Sequence, residues 1–341
     1  MIGFHYDSKL FYYSIKRTTI LFAYFLISKT LMSNSNLLNS FCSARWTFNS
    51  IPLAKNSIFM KKTFYFLLTK SIGVYINLMS FVAPKKATQK AHGYFSEPRK
   101  GRFIIENIPK TLKDAQSEII QHNEDVIQTY TWQGNETVIL LIHGWESNSS
   151  RWKKLLPYLI KSGSTIVAID GPAQGLSSGK EFTVPKYAEF MDIVAKKYKP
   201  NYMIGHSMGG QTCLYYQYKY QNPAVQKIVI LGAPSDFTII LENFTSLLSL
   251  NNTVKKALKN KYTTFLNLNL DLFASKEFVT KIAVKGLIAH DMEDTVVLFD
   301  EAEKIAETWK DAQFISTKGL GHKLHDADLY GKIYEFLFDA K

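Results

Sequence analysis

The feature that most constrains this chain is a series of short apolar runs, each too short for a helix, with helical patterns between them. Thr137–Ile142, Thr165–Ile169, Tyr202–Ile204, Lys227–Leu231, Val284–Ala289 and Gln313–Ser316 make up the series. A strand covered on both faces has no wet side, so it reads as continuous Val, Ile and Leu rather than as alternation. Between the runs lie amphipathic segments. In Arg151–Lys161 the residues Trp152, Leu155, Leu156 and Leu159 recur at helical spacing, and Tyr187–Lys197 and Gly210–Tyr220 behave likewise. Ahead of the series, Ser117–His122 and Asp125–Trp132 alternate as an antiparallel hairpin would, turning at His122-Asn123-Glu124. The predicted fold class is therefore α/β, a mostly parallel sheet flanked by helices. In such sheets chemistry gathers at the carboxyl ends of the strands, in the loops that leave them.

Those loops hold the reactive residues. Gly205-His206-Ser207-Met208-Gly209-Gly210 follows an apolar run and opens a helical one, an instance of G-x-S-x-G in strand–turn–helix context. A serine in so sharp a turn presents its hydroxyl at the sheet edge, and the flanking glycines avoid Cβ collisions with the neighbouring strand and helix. Ser207 is the candidate nucleophile. Acyl transfer also needs two backbone N–H donors aimed at the developing oxyanion. Met208, next after the nucleophile, supplies one; Trp145, in Ile142-His143-Gly144-Trp145, supplies the other. His143 itself reads as a loop-packing histidine.

The base has to be a histidine near the last strand. In Gly319-Leu320-Gly321-His322, His322 is the choice and His325 its competitor, while His206 reads as structural. For the acid, Ile288-Ala289-His290-Asp291-Met292-Glu293-Asp294 offers three carboxylates. Asp294 is preferred, with Asp291, Glu293 and Asp236 as alternatives. The order Ser, Asp, His along the chain suits this topology.

With Asp170-Gly171-Pro172-Ala173-Gln174-Gly175-Leu176-Ser177 added, five motifs stand in order. Residues 117–341 resemble the α/β-hydrolase superfamily, in particular its bacterial serine esterase-like branch with a helical cap. The resemblance departs from the family pattern at Ala173 and Gln174, where glycine and histidine are usual, and it makes Asp170 a structural acid. It implies a serine hydrolase that cleaves a carboxylic ester through an acyl-enzyme intermediate. An acyltransferase or C–C bond hydrolase with the same triad, and a non-catalytic binding protein on the same scaffold, are the other readings. A helical pattern at about 235–283, with segments Phe237–Leu250, Val254–Leu266 and Lys276–Ile282, reads as the cap insertion, and its Ile, Leu and Phe content suits an apolar acyl group.

The rest of the chain is of another character. The whole carries 41 Lys and Arg against 29 Asp and Glu, a formal net charge of +12. All of that excess lies before Asp114: residues 1–113 hold 17 basic and three acidic side chains (Asp7, Glu97, Glu106). A basic, aromatic-rich arm fits an anionic membrane surface, or a solvated tail, better than a base-reading fold, and no nucleic-acid motif is present. Residues 1–59 read as an upstream extension or a disordered arm. Their apolar run Thr18–Ser28 is short for a bilayer span, and Met60-Lys61-Lys62 looks like a fresh start. Residues 60–92 read as an apolar, basic helical arm. Phe64–Ala83 is interrupted by Lys70 and Asn77, leaving three readings: a helix in the membrane interface, a helix packed on the hydrolase body, or a spanning anchor. Pro84 ends it, and residues 93–116 read as a linker. Cys42 and Cys213 give no disulfide framework, consistent with a reducing, cytoplasmic setting with membrane association through the arm. No metal cluster, dinucleotide fingerprint or phosphate loop is written in the sequence, so no cofactor is expected.

Overall fold

The computed structural model describes residues 53–266 and 269–339. The readings placed on residues 1–52, including Thr18–Ser28 and Cys42, lie outside the described residues. Residues 68–341 belong to one compact unit.

The apolar runs pair into one eight-stranded sheet: β1 (Gln116–His122), β2 (Asp125–Trp132), β3 (Asn135–Ile142), β4 (Ser164–Ile169), β5 (Tyr202–His206), β6 (Lys227–Leu231), β7 (Lys285–Asp291) and β8 (Ala312–Thr317). Their spatial order is β1-β2-β4-β3-β5-β6-β7-β8. Strands β4, β3, β5, β6, β7 and β8 are parallel, while β1 and β2 form the antiparallel hairpin at one edge. The hairpin turns at Asn123, which takes a left-handed φ of 52°, a conformation asparagine tolerates better than most residues. Strand β4 is buried at every position, as a doubly covered strand should be. The edge strand β8 is buried at none.

Eleven helices accompany the sheet among the described residues: α1 (Leu53–Val82), α2 (Pro84–Ser96), α3 (Lys110–Lys113), α4 (Leu156–Ile160), α5 (Val184–Tyr198), α6 (Met208–Tyr220), α7 (Phe237–Leu247), α8 (Asn252–Leu266), α9 (Ser275–Phe278), α10 (Phe299–Thr308) and α11 (Ala327–Phe338). The chain thus has the α/β-hydrolase fold, with an N-terminal helical segment. Two apolar cores form, one on each face of the sheet. On one face α5 and α6 bury Tyr187, Phe190, Met191, Cys213 and Leu214 against β3, β5 and β6. On the other, α4 and α11 bury Leu156, Leu159, Leu329 and Ile333.

Three local expectations change. The helix expected over Arg151–Lys161 is a 3-10 turn (Ser149–Lys154) followed by the short α4. Pro157 lacks the N–H that a continuous helix would bond back to the preceding turn. The first insertion helix stops at Leu247 rather than Leu250, because Ser249 takes a left-handed φ of 53° and Asn251 caps the next helix through the Val254 N–H at 3.0 Å. The expected linker, residues 93–116, is docked rather than free. Phe103 N–H donates to Gly175 O at 3.0 Å, Gly175 N–H donates to Gly101 O at 2.7 Å, and Leu112 is fully buried. Charges and prolines gave that stretch its linker look, yet its backbone pairs with the loop after β4.

Candidate active site

Ser207 sits between β5 and α6 with φ 54° and ψ −127°, in a region that L-residues adopt only when their surroundings force it. The forcing is steric. A Cβ at Gly205 would lie 2.5 Å from Gly209 O, and one at Gly209 would lie 2.2 Å from Ile142 O. Only glycines let strand, turn and helix approach so closely. The Ser207 N–H is fixed on Leu231 O at 2.8 Å, and the side chain forms no hydrogen bond among the described residues. Met208 opens α6, so its N–H has no acceptor within the helix.

The loop after β3 presses on the serine. A Cβ at Gly144 would lie 2.9 Å from Ser207 Cβ and 2.8 Å from His206 O, so the peptide leading into Trp145 runs directly beside the hydroxyl. Trp145 packs edge-on against Phe182, with ring centroids 5.6 Å apart. The loop is stiffened by His143, which donates from Nδ1 to Gly144 O at 2.8 Å and accepts the Gly171 N–H at Nε2, also at 2.8 Å. Both ring nitrogens are used, and burial lowers the ring's pKa to about 4, so it stays neutral. This is the loop-packing role expected of it.

His322 and Asp294 lie together. The ring Nδ1 donates to Asp294 Oδ2 at 2.7 Å, which leaves Nε2 as the nitrogen able to accept a proton. The carboxylate is buried, and its Oδ1 takes the N–H groups of Val296 at 2.8 Å and Val297 at 3.1 Å. Burial works to raise the pKa of Asp294. The hydrogen bonds from His290 and His322 outweigh it and hold the carboxyl well below its usual range. His322 is tied to the serine's strand as well: His206 Nε2 donates to His322 O at 2.7 Å, and the two rings lie 4.7 Å apart.

The alternatives are occupied elsewhere. Asp291 accepts from Thr317 Oγ1 at 2.7 Å and from Leu320 N–H at 2.9 Å, so it fixes the loop carrying His322 rather than the ring. Glu293 is exposed. Asp236 pairs with Lys276 at 3.1 Å and Lys304 at 3.2 Å. His325 bonds Tyr330 OH at 2.6 Å. Asp170 is fully buried and accepts from Ser149 N–H and Oγ, Leu176 N–H and Tyr130 OH, so it knots together the loops after β3 and β4. One participant lacked a role in the sequence reading. His290 Nε2 lies 2.9 Å from Val297 O and 3.4 Å from Asp294 Oδ2, a second donor behind the carboxylate. Its spacing of four from Asp294 was visible, but His290 looked like loop, and it is the buried end of β7.

Sequence comparison agrees with this architecture. Residues 137–273 match the family model of the alpha/beta hydrolase fold. Over these residues, well under half of its length, the chain belongs to the α/β-hydrolase superfamily. It is similar to Protein ABHD8 of Homo sapiens, 29% identical over 127 residues that cover 35% of this chain and 28% of that protein. It is also similar to Phospholipase YtpA of Bacillus subtilis (strain 168), 28% identical over 110 residues, 30% of this chain and 42% of that one. The match thus spans less than half the length of either relative. Among solved structures, a bromoperoxidase from Bacillus anthracis superposes with a TM-score of 0.53 at 20% identity, covering 66% of this chain and all of that one.

Proposed function

We propose that the protein is a serine hydrolase that cleaves a carboxylic ester through an acyl-enzyme on Ser207. His322 Nε2 takes the Ser207 proton as Oγ attacks the ester carbonyl. The Met208 and Trp145 N–H groups hold the oxygen as it becomes negative, and the dipole of α6 adds to them. The tetrahedral adduct collapses, the carbonyl–oxygen bond to the alcohol breaks, and the alcohol leaves with the proton held by His322. Water then gives a proton to His322 and attacks the acyl group, releasing acid and free serine. Throughout, Asp294 keeps the ring oriented and stabilises its charged form.

The observation that supports this reading is a His322 ring oriented by a buried carboxylate at 2.7 Å, in a chain whose Ser207 is strained and has the Gly144 peptide against it. The relative from Bacillus subtilis is by name a phospholipase, which supports hydrolytic chemistry on a lipid-like substrate. In this reading the insertion α7–α9 acts as the cap. The test is turnover of p-nitrophenyl acyl esters of increasing chain length. Ser207→Ala is expected to lower kcat by roughly 10⁴–10⁶, and unchanged turnover in that variant would end the proposal.

A further inference from the structure

Helix α1 has two unlike faces. Lys70, Gly73, Asn77 and Ser80 all face the protein. Lys70 Nζ donates to Leu247 O at 2.9 Å and to Ser249 Oγ at 2.8 Å. Asn77 donates to Ser249 O and accepts the Asn251 N–H, both at 2.8 Å, and Asn251 Nδ2 donates to Ser80 Oγ at 2.8 Å. Gly73 sits so close to the turn between α7 and α8 that a Cβ would fall 1.7 Å from Leu248 O. The other face, which also carries the exposed Ser71, is mainly apolar: Val74, Tyr75, Leu78, Phe81 and Val82 are each 52–86% exposed. Their spacing of four, seven and eight residues from Val74 keeps them on one stripe.

We propose that this stripe docks the protein on an anionic lipid bilayer, with α1 lying in the interface plane rather than crossing it. Thr63–Val82 is long and apolar enough to cross a membrane. A crossing would strip Lys70, Asn77 and Ser80 from their partners on the insertion, and a lysine near the bilayer centre is strongly disfavoured. Lying flat keeps those bonds and buries only the outward side chains. Charge selects the occupant. Residues 53–96 contain seven lysines and no carboxylate. Helix α8, which packs on α2 through a 2.7 Å hydrogen bond between Tyr262 OH and His92, adds four lysines and no carboxylate. Lys85, Lys86 and Lys90 on α2 and Lys256, Lys259 and Lys261 on α8 are exposed. An apolar stripe beside lysines complements phosphatidylserine headgroups, whereas a second copy of the chain would set like charges together.

The test is flotation of the full chain with phosphatidylcholine vesicles, with and without phosphatidylserine. The wild type is expected to float with the anionic vesicles. Leu78→Glu with Phe81→Glu should lower the partition coefficient roughly a hundredfold, and Lys85→Glu with Lys86→Glu roughly tenfold or more. All four side chains are exposed, so thermal melts and turnover of a soluble short-chain ester should not change. Equal flotation of the Leu78→Glu/Phe81→Glu variant, or no flotation of the wild type, overturns the proposal. So does a wild-type dimer, seen by light scattering, that this variant dissolves, because the stripe would then belong to a second copy.

Discussion

Replacing Asp294 by asparagine exchanges one oxygen for an amide nitrogen and separates the proposed roles of the two buried carboxylates near His322. Oδ1 of Asp294 takes two backbone N–H groups, from Val296 and Val297, so the oxygen of the introduced amide should settle there. Its NH₂ group then faces His322 Nδ1, 2.7 Å away in the wild type. Two donors cannot share that contact. The ring is driven to the tautomer with its proton on Nε2, where it cannot accept the serine proton. The imidazolium also loses its counter-charge. For a misplaced tautomer with intact geometry the expected fall in kcat is about 10⁴, or about 5.5 kcal/mol of barrier. Asp291→Asn is the matched control. It weakens bonds from Thr317 and Leu320 that hold the loop, at a cost of about 1–3 kcal/mol in stability, and should lower kcat by no more than about tenfold. The assay is p-nitrophenyl ester turnover, with urea melts to confirm folding at the assay temperature. If Asp291→Asn loses activity while Asp294→Asn stays within tenfold of wild type, the assignment of the acid is wrong.

Other outcomes follow from the same geometry. Gly144→Ala brings a Cβ to 2.8 Å from His206 O and 2.9 Å from Ser207 Cβ, so kcat should fall by roughly a hundredfold as the Trp145 N–H is displaced; turnover equal to wild type contradicts the oxyanion role. His143 is fully buried and neutral, with its folded pKa lowered by burial to about 4 from the ordinary 6.5. The unfolded chain therefore binds the extra proton first, and stability present above pH 6.5 is lost as pH falls towards 4, by roughly 3 kcal/mol from this group. Urea melts at neutral pH and near pH 5 should show the loss, and His143→Gln should flatten it; a slope unchanged by the substitution removes His143 as its source. His290→Leu deletes one donor to the Asp294 carboxylate and should lower kcat about tenfold, with its pH–rate profile displaced; an unmoved profile would make the residue merely structural.

The sheet was legible because doubly covered strands are written as unbroken apolar runs, and the serine turn because three chain segments leave no room for a Cβ at Gly205 and Gly209. The candidate base and acid were legible only as positions after strands. Which carboxylate meets the ring depends on how β7 ends, and that strand runs two residues beyond the expected Ala289, through His290 and Asp291. The extension turns Asp291 towards β8 and hides His290 behind Asp294. Lys70 and Asn77 look like interruptions of a membrane segment, yet their partners lie more than 170 residues away on the turn between α7 and α8. No local pattern encodes such a contact. The stretch 93–116 shows the same limit: its composition is that of a linker, while its backbone is held by the loop after β4.

The most direct measurement is intact mass and peptide mapping of the full chain after exposure to a fluorophosphonate. A hydroxyl activated by an imidazole displaces fluoride and keeps the phosphonyl group, so one equivalent should add, on the peptide containing Ser207, and none should add to Ser207→Ala or His322→Ala. Failure of the wild type to label, or labelling that persists in Ser207→Ala, would contradict nucleophilic catalysis by this serine.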